Sequence, residues 1–342
     1  MFSAVLGLFS QEVALDLGTS NTRLYLRGRG TGLQHPTVVA VHTSRGGRRR
    51  VMAIGDEARP MLGRTPSDIL AVQPVRDGQI QDFEVMEALL LHMLRRVHGR
   101  NGWMSPRMVV TVPALATDME RRAVRECCEA AGAREVHLVP KPLAAALGAG
   151  LPVHEPAGQM VVDLGGGSTE IAVVSLNGVV TSQVVPGGGE GMDRALQDHV
   201  RAQHGLLIGR TTAEDLKIAL GTTRTDRGGG SEVVAGRCMT SGVPRAVEIT
   251  AAEVCEALLP CVERIAAGIR RTLERAPPEL ASDIVDHGAL LVGGASKLRR
   301  IDTTLREATG LPVVVAEHPM DSVVEGAGLA LEQSAVLERL AS

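Results

Sequence analysis

One strand–turn–strand pattern occurs twice, far apart in the chain, and it constrains the fold more than any other feature. The copies occupy residues 13–17, 18–21 and 22–26, and residues 160–164, 165–168 and 170–175. In both copies an apolar run predicts a buried strand that leads through Asp-Leu-Gly into a turn. Asp16 and Asp163 are 147 positions apart, far beyond the roughly 20–50-residue period of a solenoid. The pattern therefore predicts two similar halves.

Helices are predicted after each strand pair, and two of them have clear N-terminal signals. Thr117 and Glu120 fit a capping box, as do Thr250 and Glu253, whose helix should end before Pro277. The alternation of strands and helices predicts α/β architecture.

Two stretches, residues 28–76 and 186–247, are predicted to be inserted, surface-facing pieces. The arginine run at 48–50 in the first of them is predicted to be a solvated loop.

Composition narrows the functional classes. A chain of 342 residues with 44% hydrophobic content fits two domains better than one. The net charge of -3 gives no electrostatic basis for nucleic-acid binding. Only five residues are aromatic, which argues against base-stacking surfaces and predicts a core of Val, Leu, Ile, Ala and Met.

The cysteines and the apolar runs bear on location. The five cysteines form no C-x-x-C pair, and an odd number argues against a disulfide framework, so a reducing cytosol is expected. No apolar run approaches the roughly 18 residues of a membrane span. The apolar first ten residues lack the basic n-region and cleavage site of a signal peptide. We therefore expect a soluble, cytoplasmic protein.

Three glycine-containing turns follow buried strands, and glycine lets an anion approach the backbone closely. The turns are residues 16–19, 163–168 and 291–296. Asp16 and Asp163 stand at strand ends, where they are predicted to hold Mg²⁺ through its waters while amides and hydroxyls contact phosphate oxygens. One such turn alone is more often an ordinary tight turn. The three together predict a nucleotide site, and the lack of a Gly-Lys pair excludes a P-loop.

Over nearly its whole length the chain resembles the actin/hexokinase/DnaK ATPase superfamily and, within it, the MreB family of bacterial actins. The resemblance is carried by residues 16–22, 53–66, 76–87, 121–136, 161–174, 207–220, 277–291 and 309–312. It implies an α/β, actin-like ATPase fold with two duplicated domains around a nucleotide cleft, each with an inserted smaller subdomain. It also implies ATP and Mg²⁺ as ligands.

The resemblance implies domain boundaries as well. Residues 11–145, together with 313–342, are predicted to form the first domain, with a small subdomain at about 31–76. Residues 146–312 are predicted to form the second, with a small subdomain at about 186–247.

Nucleotide contacts follow from the resemblance residue by residue. They are Asp16, Thr19, Ser20 and Asn21; Asp163, Gly165, Gly166 and Gly167; Glu214, Asp215, Leu216 and Lys217; and Gly293, Gly294, Ala295 and Ser296. The family usually has another glycine where Ala295 stands. Glu214 and Lys217, three apart on a predicted helix, share a face and are expected to border the adenosine, with a plain surface ion pair as the alternative. The only lysines, Lys141, Lys217 and Lys297, lie in or beside these motifs.

Position 141 departs from the family pattern. The family has a glutamate directly before the proline of a helix start, and that carboxylate orients the attacking water; here Lys141 precedes Pro142. An ammonium has no lone pair to accept from water, but it can pair with the γ-phosphate. Ser168 keeps the hydroxyl that helps to place the water. Loss of a general base commonly costs about 10²–10⁴-fold in rate, so we expect slow hydrolysis or none.

The first ten residues have the spacing of an amphipathic helix. Phe2, Val5, Leu6 and Phe9 fall on one helical face, as in the membrane anchor with which MreB-type chains often begin. A disordered tail or a strand extension is the alternative. A helix this short binds weakly, but a filament presents many copies and the weak anchors add up. The expected location is therefore the inner face of the cytoplasmic membrane.

The resemblance implies a cytoskeletal protein that assembles with itself into membrane-associated filaments guiding cell shape and wall elongation. Membrane proteins of the wall-elongation machinery are the implied partners, and nucleic acid is not one. An exopolyphosphatase-like phosphohydrolase has similar strings at 16–18 and 163–170, but 140–142 supplies no catalytic carboxylate. A nucleotide-locked scaffold that binds ATP without cycling is the other alternative, and polymer turnover with ATP separates it from a cycling filament.

Overall fold

The protein is described by a computed structural model that covers residues 12–98, 105–225 and 229–340, without the side chain of His98. The predicted membrane segment 1–10, with Phe2, Val5, Leu6 and Phe9, lies outside these ranges. Two units are present. The first comprises the described residues up to Ala157, Val174–Ser182 and those from Met320 on; the second comprises Gly158–Val173 and Gln183–Pro319. The domain and subdomain boundaries inferred from the sequence stay a prediction.

Strands and helices alternate along the chain, as the sequence predicts. The strands are β1 (Val13–Leu17), β2 (Asn21–Leu26), β3 (Gly30–Pro36), β4 (Val39–Thr43), β5 (Arg49–Ile54), β6 (Ile69–Val72), β7 (Val75–Arg76), β8 (Gln79–Ile80), β9 (Arg107–Val112), β10 (Glu135–Pro140), β11 (Gln159–Leu164), β12 (Ser168–Ser175), β13 (Gly178–Pro186), β14 (Leu206–Leu207), β15 (Ser231–Cys238), β16 (Pro244–Thr250), β17 (Ala289–Val292) and β18 (Val313–Val315). The helices are α1 (Phe83–His98), α2 (Asp118–Ala130), α3 (Lys141–Gly148), α4 (Gly188–His204), α5 (Arg210–Leu220), α6 (Ala251–Arg275), α7 (Pro278–His287), α8 (Ile301–Thr309), α9 (Ser322–Glu332) and α10 (Ser334–Leu340). Short 3-10 turns lie at Arg59–Met61 and Gly294–Lys297.

Two five-stranded sheets share one strand plan. Their orders are β3-β2-β1-β9-β10 and β13-β12-β11-β17-β18. In the first, Asp16 of β1 lies opposite Thr111 of the parallel strand β9. In the second, Asp163 of β11 lies opposite Val292 of the parallel strand β17. Because β1 and β11 are the central strands of equivalent sheets, the prediction of two similar halves is confirmed.

Each unit has its own aliphatic core. Fully buried side chains include Leu15 and Met86 in the first unit and Met160 and Ile171 in the second. Among the described residues, neither Tyr25 nor Phe83 belongs to the buried set, so the prediction of a core without aromatic rings is confirmed for this part of the chain.

Both predicted capping boxes are present. Thr117 accepts from the Glu120 amide while the Glu120 carboxylate accepts from the Thr117 amide at 2.7 Å, and Thr250 with Glu253 forms the same pair. The helix that begins after Thr250 ends at Arg275, ahead of Pro277, as predicted.

Two local predictions are wrong. Arg49 and Arg50 open strand β5 instead of a loop, because the ladder with β4 fixes their backbone. Arg50 is exposed, and Arg49 forms an ion pair with Asp82 at 2.7 Å. The beginning of the stretch 186–247 is not surface-facing. Helix α4 buries Met192, Leu196 and Val200 in the core of the second unit.

In the part of the chain that the structure describes, no helix combines the length and the apolar character needed to cross a bilayer.

Candidate functional site: two clusters around the glycine turns

Asp16 stands at the buried end of β1 and is only 6% exposed. Its Oδ1 accepts a hydrogen bond from Thr111 Oγ1 at 2.9 Å and lies 3.0 Å from Lys141 Nζ. Burial alone would raise the pKa of this carboxyl, but the Lys141 ammonium, the Arg23 guanidinium and the Thr111 hydroxyl together hold the pKa below its ordinary value. Asp16 is therefore an anion that the protein itself has already neutralised.

Lys141 owes its position to close helix packing. It is the first residue of α3, directly after β10, and its side chain is mostly buried. Glycines allow α3 and α9 to touch along their backbones: a Cβ on Gly326 would overlap the Ala144 carbonyl, and one on Gly148 would overlap that of Ser322. The start of α3 is thereby fixed, and with it the direction from which the ammonium approaches Asp16.

The first glycine turn is held by Thr37. Its hydroxyl donates to the Gly18 carbonyl at 2.7 Å, and its amide donates to the Ser20 carbonyl at 3.0 Å. A Cβ on Gly18 would lie 2.5 Å from the Asn21 carbonyl oxygen, so this close turn needs glycine. Two carbonyls of the turn are thus bound inside the protein.

Two side chains of this turn already accept hydrogen bonds. Thr19 Oγ1, in a buried residue, accepts from the Gly78 amide at 3.4 Å, and Asn21 Oδ1 accepts from Gln34 Nε2 at 3.3 Å. A hydroxyl and a carboxamide each keep donor capacity when their oxygens accept. What these residues can still offer to a phosphate is a donor, which suits the predicted contact.

The second glycine turn lies against the N-terminus of α4. The turn carbonyls accept from the amides that open this helix: Gly165 from Gly189 at 2.9 Å, Gly166 from Glu190 at 2.8 Å and Gly167 from Gly187 at 2.9 Å. In a trans peptide the N–H points opposite to the C=O of the same unit. The amides of Gly166, Gly167 and Ser168 therefore point away from α4, and successive turn amides of this kind are donors with which a backbone can bind an anion.

Gly188 is a site-building residue that the sequence reasoning missed. Its φ is +28°, and a Cβ there would lie 2.5 Å from the Gly165 carbonyl oxygen and 2.6 Å from that of Gly166. No side chain fits between the helix start and the turn. The signal was in the sequence, since Gly187, Gly188 and Gly189 form a run directly after a strand, but their contact with a turn about 20 positions earlier depends on the fold.

Lys217 connects α5 to the start of α4. Its Nζ lies 2.6 Å from Asp193 Oδ1 and donates to the Gly189 carbonyl at 2.9 Å. Asp193 is buried, and burial raises its pKa, with the Lys217 ammonium opposing the shift. Asp193 is a second residue that sequence reasoning missed.

The other predicted residues of α5 differ in exposure. Leu216 is 2% exposed and belongs to the core, Glu214 is half-buried and Asp215 is exposed. The turn of the helix places Glu214 and Lys217 on one face, as predicted, yet the pairing that fixes Lys217 is with Asp193 on a different helix.

The third glycine turn lies against the second strand end. Gly293 has a φ of +84°, and a Cβ there would lie 2.5 Å from both Asp163 Oδ1 and the Leu164 carbonyl oxygen. Ser296 is buried and donates from Oγ to the Gly293 carbonyl at 2.7 Å. The rest of the turn is open: Ala295 is half-buried, and a Cβ on Gly294 would meet nothing within 4 Å.

The predicted residues form two clusters. The first unit holds Asp16, Thr19, Ser20, Asn21 and Lys141; the second holds Asp163, Gly165, Gly166, Gly167, Ser168, Lys217, Gly293, Gly294, Ala295 and Ser296 around the start of α4.

The two aspartates differ in how well they fit the predicted role toward Mg²⁺. Within residues 12–98, 105–225 and 229–340, no three His, Cys, Asp or Glu side chains cluster as metal ligands do. Asp163 is a buried carboxylate beside a glycine turn, which suits an ion held through water. Asp16 fits poorly, because an ammonium lies 3.0 Å from its Oδ1 and would repel a dication.

The two equivalent sheets, each with a glycine turn after its central strand, define a protein with the actin-like fold. Comparisons with known proteins agree with this assignment. The family model described as MreB/Mbl protein matches residues 10–339. Cell shape-determining protein MreB of Escherichia coli strain K12 is 48% identical over 333 residues, which cover 95% of this chain and 94% of that protein. The chain belongs to the MreB/Mbl family.

Solved structures support the same assignment. MreB 5 of Spiroplasma citri bound to AMPPNP has a TM-score of 0.90 and 30% identity, with 96% of this chain and 97% of that chain covered. MreB5 of the same organism bound to ADP has a TM-score of 0.89 and 30% identity, with 96% and 98% covered. The actin-like α/β fold predicted from the sequence is thus confirmed.

Proposed function

We propose that this protein binds ATP and assembles with itself into filaments that guide cell shape and cell-wall elongation. The observation that carries the proposal is the set of hydrogen bonds from the start of α4 to the carbonyls of residues 165–167, which directs the amides of Gly166, Gly167 and Ser168 away from α4. Two comparisons support it: a relative at 48% identity is named a cell shape-determining protein, and a similar structure holds AMPPNP.

Each predicted contact has a chemical role in this proposal. Thr19, Ser20 and Asn21 donate to phosphate oxygens from the first turn, and residues 165–167 do so through their amides. Glu214 and Lys217 border the adenosine, with Asp215 and Leu216 between them, and residues 293–296 close the base side. The bond from Lys217 to the Gly189 carbonyl supports this, because it holds the adenosine border and the phosphate turn in one fixed geometry.

Hydrolysis in this proposal is slow. Lys141 cannot accept a proton from water while it is charged, and its ammonium is held on Asp16 at 3.0 Å. Ser168 can place a water, but a hydroxyl alone is a poor base. ATP would therefore persist in the polymer longer than in a relative with a glutamate at position 141.

The membrane and the wall-elongation machinery complete the proposal. Residues 1–10 would anchor the polymer at the inner face of the cytoplasmic membrane through Phe2, Val5, Leu6 and Phe9. The support is their helical spacing, together with the gain in avidity when many weak anchors act at once. Membrane proteins of the elongation machinery are the partners that the family resemblance implies.

A nucleotide-locked scaffold is the second candidate. It is favoured by the same buried pair, since Lys141 neutralises Asp16 and adds no base. Such a protein would bind ATP and partners without turning over. An exopolyphosphatase-like activity has less support, because the chain belongs to the MreB/Mbl family.

Pelleting of the full-length protein with liposomes, with and without Mg-ATP, tests the proposal when the pellets are viewed by negative-stain electron microscopy. We expect ATP-dependent filaments on lipid, and loss of lipid binding when residues 1–10 are removed. ATP binding without filaments would favour the scaffold. Lipid binding that survives the deletion would overturn the anchor.

A further inference from the structure

The environment of Asp16 carries a consequence for metal use. Two cationic side chains act on this buried carboxylate: Lys141 at 3.0 Å and Arg23, whose charge also lowers its pKa. Arg23 in turn lies 3.3 Å from Asp321, so it already has an acidic partner. Lys141 makes a direct ion pair with Asp16, at 3.0 Å.

A lysine in place of a glutamate changes the charge at position 141 by two units. A glutamate at position 141 would carry minus one and Lys141 carries plus one, so the difference equals the charge of one Mg²⁺. A dication near Asp16 would lose part of its attraction to the carboxylate and gain repulsion from the ammonium. Both effects weaken the binding of a divalent cation on this side of the site.

The choice of lysine fits a phosphate partner. This chain uses arginine for nearly all its cations and has only three lysines. A lysine ammonium is a compact point charge on a flexible stem, which can turn from a carboxylate to a phosphate oxygen without a fixed bidentate geometry. The stem of Lys141 is mostly buried and its helix start is fixed, which keeps the ammonium within a small region.

We propose that Lys141 supplies the positive charge that a divalent cation would otherwise give to a bound nucleoside triphosphate, so that ATP binding needs little or no divalent cation. This inference rests on the proposed function, because it concerns the phosphates of the same nucleotide. The ammonium leaves Oδ1 of Asp16, or bridges to it, when the triphosphate binds.

Calorimetric titration of the full-length protein with ATP, in excess Mg²⁺ and in excess EDTA, tests the inference. We expect the wild-type affinity to change by less than about threefold between the two conditions, since the lysine charge is present in both. The affinity of Lys141→Glu for ATP should be about 100-fold or more lower in EDTA than in Mg²⁺, because two carboxylates then face the phosphates. For Lys141→Met, the loss of affinity in EDTA should be larger than for the wild type and smaller than for Lys141→Glu.

Arg122→Glu is the matched control, because it makes the same change in charge on an exposed face of α2. It should leave both affinities unchanged. If Lys141→Glu fails to fold, the comparison of wild type with Lys141→Met decides. Wild-type binding that is lost in EDTA overturns the inference and leaves the proposed function standing. No ATP binding in either condition overturns both.

Discussion

The Lys141 ammonium lies 3.0 Å from Oδ1 of Asp16, at the position where the MreB resemblance implies a glutamate. The two residues are 125 positions apart and meet because β1 and β10 lie in one sheet, on either side of β9, and α3 begins directly after β10. A buried ion pair stabilises a protein only as a pair, since removal of one partner leaves an uncompensated charge. The pair should therefore affect both stability and chemistry.

The contribution of the Asp16–Lys141 pair to the stability of the protein should decrease as the pH falls. The pKa of Asp16 is lowered in the folded protein relative to its ordinary value of 3.8. Its contribution is fully present above that value and is lost as the pH falls through the lower folded pKa. In urea unfolding, the wild type should exceed Asp16→Asn in unfolding free energy above about pH 4, and the difference should shrink at lower pH.

Asp215→Asn removes a carboxylate at an exposed position of α5, is the control, and should change the unfolding free energy by less than about 0.5 kcal/mol. A constant difference between wild type and Asp16→Asn across the whole pH range would contradict a lowered folded pKa.

Gly188→Ala should damage the phosphate turn. The added Cβ would lie 2.5 Å from the Gly165 carbonyl oxygen, a backbone atom that cannot rotate away. We expect a loss of about 1–3 kcal/mol in unfolding free energy, as for other overpacked sites, and weaker ATP binding by calorimetry.

Gly191→Ala on the same helix is the matched control for Gly188→Ala. A Cβ there would meet nothing within 4 Å, and alanine should stabilise the helix by up to about 1 kcal/mol. Equal behaviour of the two variants would show that the contact between α4 and the turn is not tight.

Lys217→Met should unfold more easily because it leaves the buried Asp193 without its lysine partner. Breaking a buried pair costs about 3–5 kcal/mol when the other charge remains. Replacement of Asp193 by Asn in the same protein should recover part of that loss, although both variants lose the bond to the Gly189 carbonyl. Ile218→Ala, at an exposed neighbour, should change stability by less than about 0.5 kcal/mol. A double variant no more stable than Lys217→Met would contradict the pairing.

Local signals were sufficient to predict much of the fold. Strand β1 was predicted at its observed bounds, and the capping boxes at Thr117 and Thr250 were correct because a cap involves only neighbours within one helical turn. The repeated Asp-Leu-Gly pattern predicted the equivalence of the two sheets, since each copy sits on a central strand.

The features that the sequence did not predict depend on contacts between residues far apart in the chain. The glycine run at 187–189 indicates a turn, but the partners of Gly188 and Asp193 could not be predicted locally, because packing brings the phosphate turn and Lys217 to them. Lys141 and Asp16 were both singled out from the sequence, yet nothing in the pattern showed that they pair with each other. The charged run at 48–50 favours a solvated loop. The pairing of β5 with β4, which makes Arg49 and Arg50 part of a strand, has no local signal in the sequence.

The nucleotide retained in the polymer tests the central claim most directly. Wild type, Lys141→Glu and the control Arg122→Glu would be polymerised with ATP and pelleted over time, and the bound nucleotide and released phosphate would be measured. Wild type and the control should retain ATP, whereas Lys141→Glu should form ADP and release phosphate about 10²-fold faster or more. Rapid ADP formation in the wild type, or no gain in Lys141→Glu, would contradict the account.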